Sequence, residues 1–365
     1  MTKPFFRIEM LPAKHGDALW VEYGKGDDTY RLLIDGGPIH AYPDLRARLE
    51  ELPDGDRRVE LLVITHVDTD HIEGIIRLLA EPRGRWPIDP QDIWFNGWRH
   101  MNEARDLGGR EGEFLSALIR RRAFDEWNRA FGRKAVVVDP SQDQLPTLPL
   151  DGGMTLTLLS PDVAKLKAMA DKWEADIDKW AIDPGDLDQA WDQLVEETRF
   201  LPEEGLLGPE DFTAQLKAQL KTDPSKANGS SIAFLAEYAD RRCLFLADAH
   251  MSTVCDSLEK LIPEQDRPLK VDAIKLSHHG SRNNLKPRLF ELVDAEHFLV
   301  STNGDQHEHP DKAAIESVIV GATRRPTIWF NYRSPYTECW ESGAGTKYTV
   351  RYPKAGTEGI VVPIR

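Results

Sequence analysis

Thr65-His66-Val67-Asp68-Thr69-Asp70-His71 places four side chains able to hold a metal ion within six residues. The run before it, LLVIT, is short and aliphatic and reads as a buried strand, while IIRLLA after it has helical spacing. The cluster therefore sits where a strand gives way to a helix. In an extended segment side chains alternate, so His66 and Asp68 point the same way. Asp70 and His71 fall where the chain turns into the helix and can face a second ion beside the first. Imidazole nitrogens and carboxylate oxygens together suit divalent transition metals. Helix capping would account for one aspartate, but for neither the second nor the two histidines.

Working outward, FRIEML, ALWVEY and YRLLIDGG read as strands, with KHGD as a turn. The third ends in Asp35-Gly36-Gly37, where the glycines permit positive φ or close backbone approach. Asp35 is expected behind the ligands, accepting a hydrogen bond from a metal-bound histidine; a plain turn is the alternative. Residues 111–134 read as a basic amphipathic helix, and AVVVD and MTLTLLSPD as strands. SIAFLAEYADRRCLFLADA reads as two strands around a turn at Asp240–Arg241, the second delivering Asp248. AIKLS leads into His278-His279-Gly280-Ser281, where one histidine can ligate while the other contacts substrate or orients a ligand. His309, near His307 in QHEHP, precedes a helix from Pro310 to about Val320 and is placed to donate a proton or contact an oxyanion. Taken singly, Asp248 reads as a turn residue and His309 as a solvated loop histidine. Recurring in order at successive strand ends, these residues read as a site on a rigid scaffold.

Strand-rich halves, each with a few helices, predict two sheets packed face to face with helices outside. Residues 163–227 differ: polar and helical, with Trp173, Trp180 and Trp191 among acidic residues, interrupted by Pro184 and Pro202. They read as a helical insertion within a single domain spanning 1–365, a lid or protein-interaction surface. The tryptophans fit the core of a helical hairpin better than a base-stacking platform.

Hydrophobic content of 41% and charged content of 29% over 365 residues are those of a soluble globular protein. The net charge of -15 argues against a passive nucleic-acid-binding module, whose affinity comes from neutralising phosphates, but not against an enzyme acting on phosphodiesters. The 3 cysteines show no CxxC spacing, so neither a disulfide framework nor a cysteine zinc site is indicated. MTKPFFRIEML has no apolar core of signal-peptide length, and no membrane span is visible, so a cytoplasmic protein is expected.

THVDTDHIEG resembles the HxHxDH motif of metallo-β-lactamase fold hydrolases, with Asp68 in place of the middle histidine. KHGDALWVEYG with RLLIDGG, LLSPD, NGSSIAFLAEYADRRCLFLADA, LKVDAIKLSHHGS and STNGDQHEHP are similar, in order, to blocks of the hydrolase domain of ComEC-type competence proteins. The resemblance covers most of the chain outside 81–135 and 163–227. It implies an α+β fold, a four-layer αββα sandwich, with two divalent metal ions, zinc or manganese, at the sheet edges. By the same resemblance His66 and Asp68 hold the first ion and Asp70 and His71 the second. Asp248 bridges them, and either His278 or His279 completes the second site. Asp35 stands behind the ligands and His309 by the substrate. One departure is plain: the usual histidine between the cluster and the bridging aspartate is missing. His100 is in the wrong context, and Asn228 and Ser230 occupy roughly that region, with Ser281 a further residue behind the ligands.

The chemistry expected is hydrolysis through a metal-bound hydroxide, with Asp70 orienting the nucleophile and His309 or the non-ligating member of His278/His279 assisting the leaving group or oxyanion. Replacing histidine by Asp68 makes the site more oxygen-rich and shifts preference towards manganese. A phosphodiesterase or nuclease acting on DNA is favoured by the resemblance and by the basic helix carrying Arg120, Arg121, Arg122, Arg129, Arg133 and Lys134. The alternatives are an ester, lactone or amide hydrolase, and a partner-binding component with a vestigial site.

Overall fold

Leu61 and Val63 face one hydrophobic layer while Leu62 and Ile64 face another, as the two-residue period of a strand requires. Leu32 and Ile34 divide from Leu33 in the same way. A sheet apolar on both faces must be covered on both. The computed structural model describes residues 3–53, 55–101, 110–177, 185–201, 224–341, 345 and 347–365; Trp180, Pro184 and Pro202 lie outside them.

In chain order the strands are β1 (Pro4–Met10), β2 (Leu19–Lys25), β3 (Asp28–Ile34), β4 (Arg58–Val59), β5 (Leu61–Val63), β6 (Asp89–Pro90), β7 (Ile93–Trp94) and β8 (Thr147–Pro149). They continue with β9 (Thr155–Ser160), β10 (Ala233–Tyr238), β11 (Arg241–Phe245), β12 (Leu269–Lys275), β13 (Val293–Val300), β14 (Thr327–Phe330), β15 (Thr349–Arg351) and β16 (Ile360–Pro363). The first sheet runs β16-β1-β2-β3-β5-β7, antiparallel as far as β3 and parallel beyond it. The second runs β15-β14-β13-β12-β11-β10-β9-β8, parallel from β15 to β11 and antiparallel thereafter. β4 and β6 pair with each other.

Phe6, Val21, Val63, Phe234 and Phe245 fill the space between the sheets. Outside the first sheet, helices α1 (Tyr42–Glu50), α2 (Thr69–Ala80), α3 (Trp98–Met101) and α4 (Arg110–Arg122) contribute Leu45, Ile76, Trp98 and Phe114 to a second core. Outside the second sheet, the helices Met251–Leu261, Pro287–Leu292 and Lys312–Gly321 supply Leu258, Leu289 and Ile315 to a third. Three apolar layers between four structural layers make the αββα sandwich that the sequence predicts.

Local expectations fare less evenly. The helix expected over 111–134 stops at Arg122, because Ala123 leaves helical geometry (φ -150°, ψ 37°); beyond it Asn128 takes a left-handed conformation (φ 47°) and its side chain bonds Phe95 and Lys134. AVVVD is not a strand: Asn96 bonds both the Val136 amide and carbonyl, replacing a ladder partner, and Val138 makes only an isolated bridge to Asp162. The expected hairpin turn falls one residue early, on Ala239 and Asp240, both at positive φ.

The described part of residues 163–227 lies in sequence between β9 and β10, which pair directly, and packs on the helical layer of the first sheet. There α5 (Val163–Ile177) and α6 (Leu187–Glu196) bury Met169, Trp173 and Leu194 against α3 and α4. Trp173 is fully buried, with its ring centroid 6.1 Å from that of Trp98, and Arg121 covers Trp191 at 4.3 Å. Trp173 is thus closed to a base, and Arg121 occupies a face of the half-buried Trp191. Arg199 bonds Glu73 of α2 at 2.7 Å and Glu111 of α4 at 3.0 Å, tying this segment to the helix that carries His71. No helix among the described residues is long and apolar enough to cross a membrane.

Parallel pairing of β3 with β5, and of β11 with β12 and β13, sends all five C-terminal ends to one edge of the sandwich. Hydrogen bonds join the two sheets there: Ile232 N to Thr65 O (3.0 Å), Ser301 Oγ to Gly16 O (2.9 Å) and Asn303 N to Lys14 O (2.8 Å).

Candidate metal centre

Asp68 occupies the N-cap position of α2, yet its side chain makes no capping hydrogen bond. Two glycines let the first turns of α2 press into the strand-end loops. A Cβ on Gly16 would lie 1.8 Å from the Asp70 carbonyl oxygen, and one on Gly74 2.0 Å from that of Gly36. No other residue fits at either position without displacing backbone.

Every histidine of the cluster is held by its Nδ1. His71 Nδ1 donates to Asp35 Oδ2 at 2.8 Å, and His279 Nδ1 to the Ser301 carbonyl at 2.9 Å. Thr65 Oγ1 gives its own proton to Asp35 Oδ2 (2.7 Å), so at 3.0 Å it accepts from His66 Nδ1. His278 Nδ1 donates to Asn284 Oδ1 at 3.0 Å. With the proton on Nδ1, each Nε2 keeps a lone pair, the tautomer a metal ligand needs.

Those Nε2 atoms converge on Asp248. His71 Nε2 lies 3.6 Å from Asp248 Oδ1; those of His66, His278 and His279 lie 3.9, 3.7 and 3.9 Å from Oδ2. Asp68 Oδ2 is 3.5 Å from His66 Nε2, while Asp70 Oδ2 is 3.7 Å from His71 Nε2 and 3.2 Å from His279 Nε2. Two overlapping groups result, His66–His71–Asp248 and Asp70–His71–His279, their ligand atoms within 4.8 Å of one another. Ligands about 2.1 Å from a tetrahedral ion are roughly 3.4 Å apart, so the spacing suits ions seated between these atoms. The Nε2 atoms of His66, His71 and His279 and Oδ1 of Asp248 are buried and make no hydrogen bond among the described residues. Buried polar atoms are ordinarily paired. The donor set fits divalent cations.

Electrostatics point the same way. Burial opposes charge on Asp70 and Asp248, but the histidines around them hold both carboxyls far below the usual range. Burial likewise opposes protonation of His71 and His279. Asp248, Asp70 and Asp35 push His71 well above its ordinary value, and Asp17 and Asp248 raise His279 to about 10. Both shifts favour the protonated imidazole, so a proton competes with a cation for the same Nε2 atoms. Metal titration by calorimetry in buffers of different ionisation enthalpy is expected to show net proton release; a buffer-independent heat would contradict this.

Other expected residues fall around this centre with mixed outcomes. His309 packs beside His278, ring centroids 5.6 Å apart, and burial followed by the charges of His279 and His278 lowers it to about 4. Asn228 Nδ2 lies 3.3 Å from His278 Nδ1. Ser230 is not turned to the ligands: its hydroxyl donates to the Ala227 carbonyl and ends the helix Pro224–Gly229. Ser281 instead accepts from the Asn283 amide and stabilises the turn after the histidines. His100 lies against Trp127 in an edge contact at 4.8 Å, where burial lowers it to about 3. Of the basic residues on 111–134, Arg121 bonds Asp188, Arg122 the Leu79 carbonyl and Arg133 Asp125, so much of that charge is engaged internally.

Sequence reading missed three residues beside the centre. Asp17, from the KHGD turn, receives a 2.6 Å hydrogen bond from Lys275 Nζ and stands 3.4 Å from His279 Nδ1. Both partners are 1% exposed. The signal was present: Lys275 sits in AIKLS at the parity of Ala273, which faces the space between the sheets. His15, its neutral form favoured by burial and lowered to about 4, lies within the fields of Asp70 and His279.

No protein family matches the chain, and no curated protein matches its sequence. Among solved structures it is similar to the metallo-β-lactamase fold protein YhfI from Bacillus subtilis, 12% identical with a TM-score of 0.40, covering 98% of this chain and 99% of that one. It is also similar to a CmlA beta-hydroxylase mutant, 12% identical with a TM-score of 0.38, covering 97% of this chain and 53% of that one. The chain thus spans about half the length of the latter.

Proposed function

We propose that this protein is a hydrolase dependent on two divalent metal ions, zinc or manganese, and that it cleaves a phosphodiester, DNA or a related molecule. The observation carrying the proposal is the convergence on Asp248 of buried Nε2 atoms that make no hydrogen bond among the described residues. In this reading His66, Asp68 and His278 serve the first ion, Asp70, His71 and His279 the second, and Asp248 both. His278 takes the place of the histidine absent from the sequence between the cluster and Asp248. When bound, the ions supply an activated water and positive charge opposite the charge that develops on the attacked group.

The chain's own groups do the rest. Asp35, Asn284 and the Ser301 carbonyl hold the imidazoles in one tautomer and one orientation. His309, neutral at pH 7, positions substrate by hydrogen bonding rather than by giving up a full charge. Phosphodiester chemistry is supported by the sequence resemblance and by the cavity beside His278, whose lining among the described residues includes no carboxylate. The internal pairing of Arg121, Arg122 and Arg133 favours the acyl alternative, an ester, lactone or amide substrate.

The test begins with protein purified without chelator and metal content by mass spectrometry. Linear and plasmid DNA, bis-p-nitrophenyl phosphate, esters and a β-lactam are then assayed with Mn²⁺, with Asp70→Ala as control. Metal-dependent phosphodiester cleavage lost in the variant is the expected result. Cleavage of acyl substrates alone would replace the phosphodiester reading. Bound metal without any turnover would favour a partner-binding role, and absence of metal would end the assignment.

A further inference from the structure

Arg199 carries the segment 163–227 up to the elements that stand behind the candidate metal centre. Its guanidinium lies over the Phe200 ring at 4.3 Å, and Phe200 is fully buried against Phe114 of α4, ring centroids 6.2 Å apart. So placed, it spans two helices: Nη1 donates to Glu73 Oε1 on α2 at 2.7 Å, and Nη2 to Glu111 Oε1 on α4 at 3.0 Å. The side chains of Arg199, Glu73 and Glu111 are 13%, 6% and 11% exposed. Little water screens them, so the pairing is stronger than that of a surface bridge.

Glu73 faces two ways. Its other oxygen, Oε2, accepts from the Ile39 amide at 2.9 Å, which fastens α2 to the loop that begins with Asp35. Asp35 stands at φ 59°, a conformation that a residue with a side chain keeps only where its surroundings fix it. Four hydrogen bonds along the loop do so: Asp35 N to Val63 O (2.8 Å), Gly36 N to His71 O (2.9 Å), Gly37 N to Asp17 O (2.8 Å) and Ile39 N to Glu73. Asp35 in turn orients His71 through Nδ1. Glu73, two residues after His71 on the same helix, thus holds both sides of that bond together, and Arg199 holds Glu73.

From this chain of contacts we infer that Arg199 is a positioning residue for the ion served by Asp70, His71 and His279. The segment 163–227 then belongs to the catalytic unit as a strut against α2 rather than as a lid. Without the guanidinium, Glu73 and Glu111 are left as two buried carboxylates that share no cation. The first turn of α2 shifts in response, and the His71 imidazole with it. This inference rests on the two-metal reading proposed above, and metal binding reads it out independently of turnover.

The test titrates metal-free protein with Co²⁺, followed by visible absorption and calorimetry, in wild type, Arg199→Met, Arg199→Lys and Leu194→Ala. Leu194 is buried in the same segment and its side chain is apolar, so its truncation reports lost packing alone. Arg199→Met should bind one of two Co²⁺ equivalents about tenfold more weakly, the size expected for a group one step behind a ligand's own partner. Its absorption band should change, and kcat on bis-p-nitrophenyl phosphate should fall more than KM rises. Arg199→Lys restores the charge but not the two-armed reach, and should fall between Arg199→Met and wild type. Wild-type Co²⁺ affinity and spectrum in Arg199→Met, or equal weakening in Leu194→Ala at a comparable fall in Tm, overturns the inference. Should Arg199→Met fail to fold, Arg199→Lys decides alone, and an unchanged affinity and spectrum there has the same consequence. Weakened Co²⁺ binding in a protein that cleaves no diester keeps the role of Arg199 and overturns the phosphodiesterase reading instead. No Co²⁺ uptake by the wild type overturns the two-metal reading, and this inference with it.

Discussion

Asp248→Asn is expected to empty the centre of metal and abolish hydrolysis while leaving the fold intact. Asparagine keeps the volume and the planar head of the side chain, so the layers around it have no reason to move. What disappears is a buried negative charge, 3% exposed at its side chain, facing four imidazoles at 3.6–3.9 Å. His66 and His71 sit with ring centroids only 4.2 Å apart, and Asp248 is the largest of the charges that favour cationic character there. Losing a group behind a ligand costs roughly 10–100-fold in metal affinity, so losing the carboxylate shared by both groups should cost more than about a hundredfold. Circular dichroism should overlay that of the wild type, with metal content by mass spectrometry near zero after dialysis. Two ions retained, with turnover preserved, would remove Asp248 from the proposed site.

Lys275→Met has the largest expected effect on stability. Lys275 and Asp17 form an ion pair shut off from water between the sheets, and burial alone would drive the Asp17 carboxyl upward were Lys275 not holding it down. Removing one member strands the other charge in the interior, at a cost of about 3–5 kcal/mol. For a protein of this size that corresponds to a fall of roughly 5 °C in Tm. Replacing both, as Asp17→Leu with Lys275→Met, should recover most of the loss, since an apolar pair of similar volume removes the desolvation cost on each side. The double variant separates structure from positioning. Asp17 also stands 3.4 Å from His279 Nδ1, so a refolded double variant should still bind the metal served by His279 about 10–100-fold more weakly. An unchanged Tm in Lys275→Met, measured by calorimetry, would contradict the buried pair; wild-type metal affinity in the double variant would confine it to stability.

Most of the candidate site follows from local chemistry alone. Asp35, the cluster from His66 to His71, Asp248 and His278-His279 each come directly after an apolar run, and a strand end carrying ligand-type residues is recognisable without any knowledge of its neighbours. The two-sheet sandwich is legible for the same reason, because period-two and helical patterns are properties of consecutive residues. Other features depend on residues far apart in the chain. Asp17 and Lys275 are 258 residues apart and meet only because the loop after β1 and the end of β12 share one edge. GIVVPI reads as one more strand, but nothing within it says that it pairs with β1 at the opposite end of the chain. AVVVD has the composition of a strand and loses that role to the side chain of Asn96. His278 and His279 are indistinguishable in sequence; both adopt positive φ, and the packing of that turn sends one towards Asp70 and the other towards the cavity. The candidate ligands are thus local, written in residue type and strand position, whereas their grouping and the buried pair behind them come from contacts that exist only once the sheets have closed on each other.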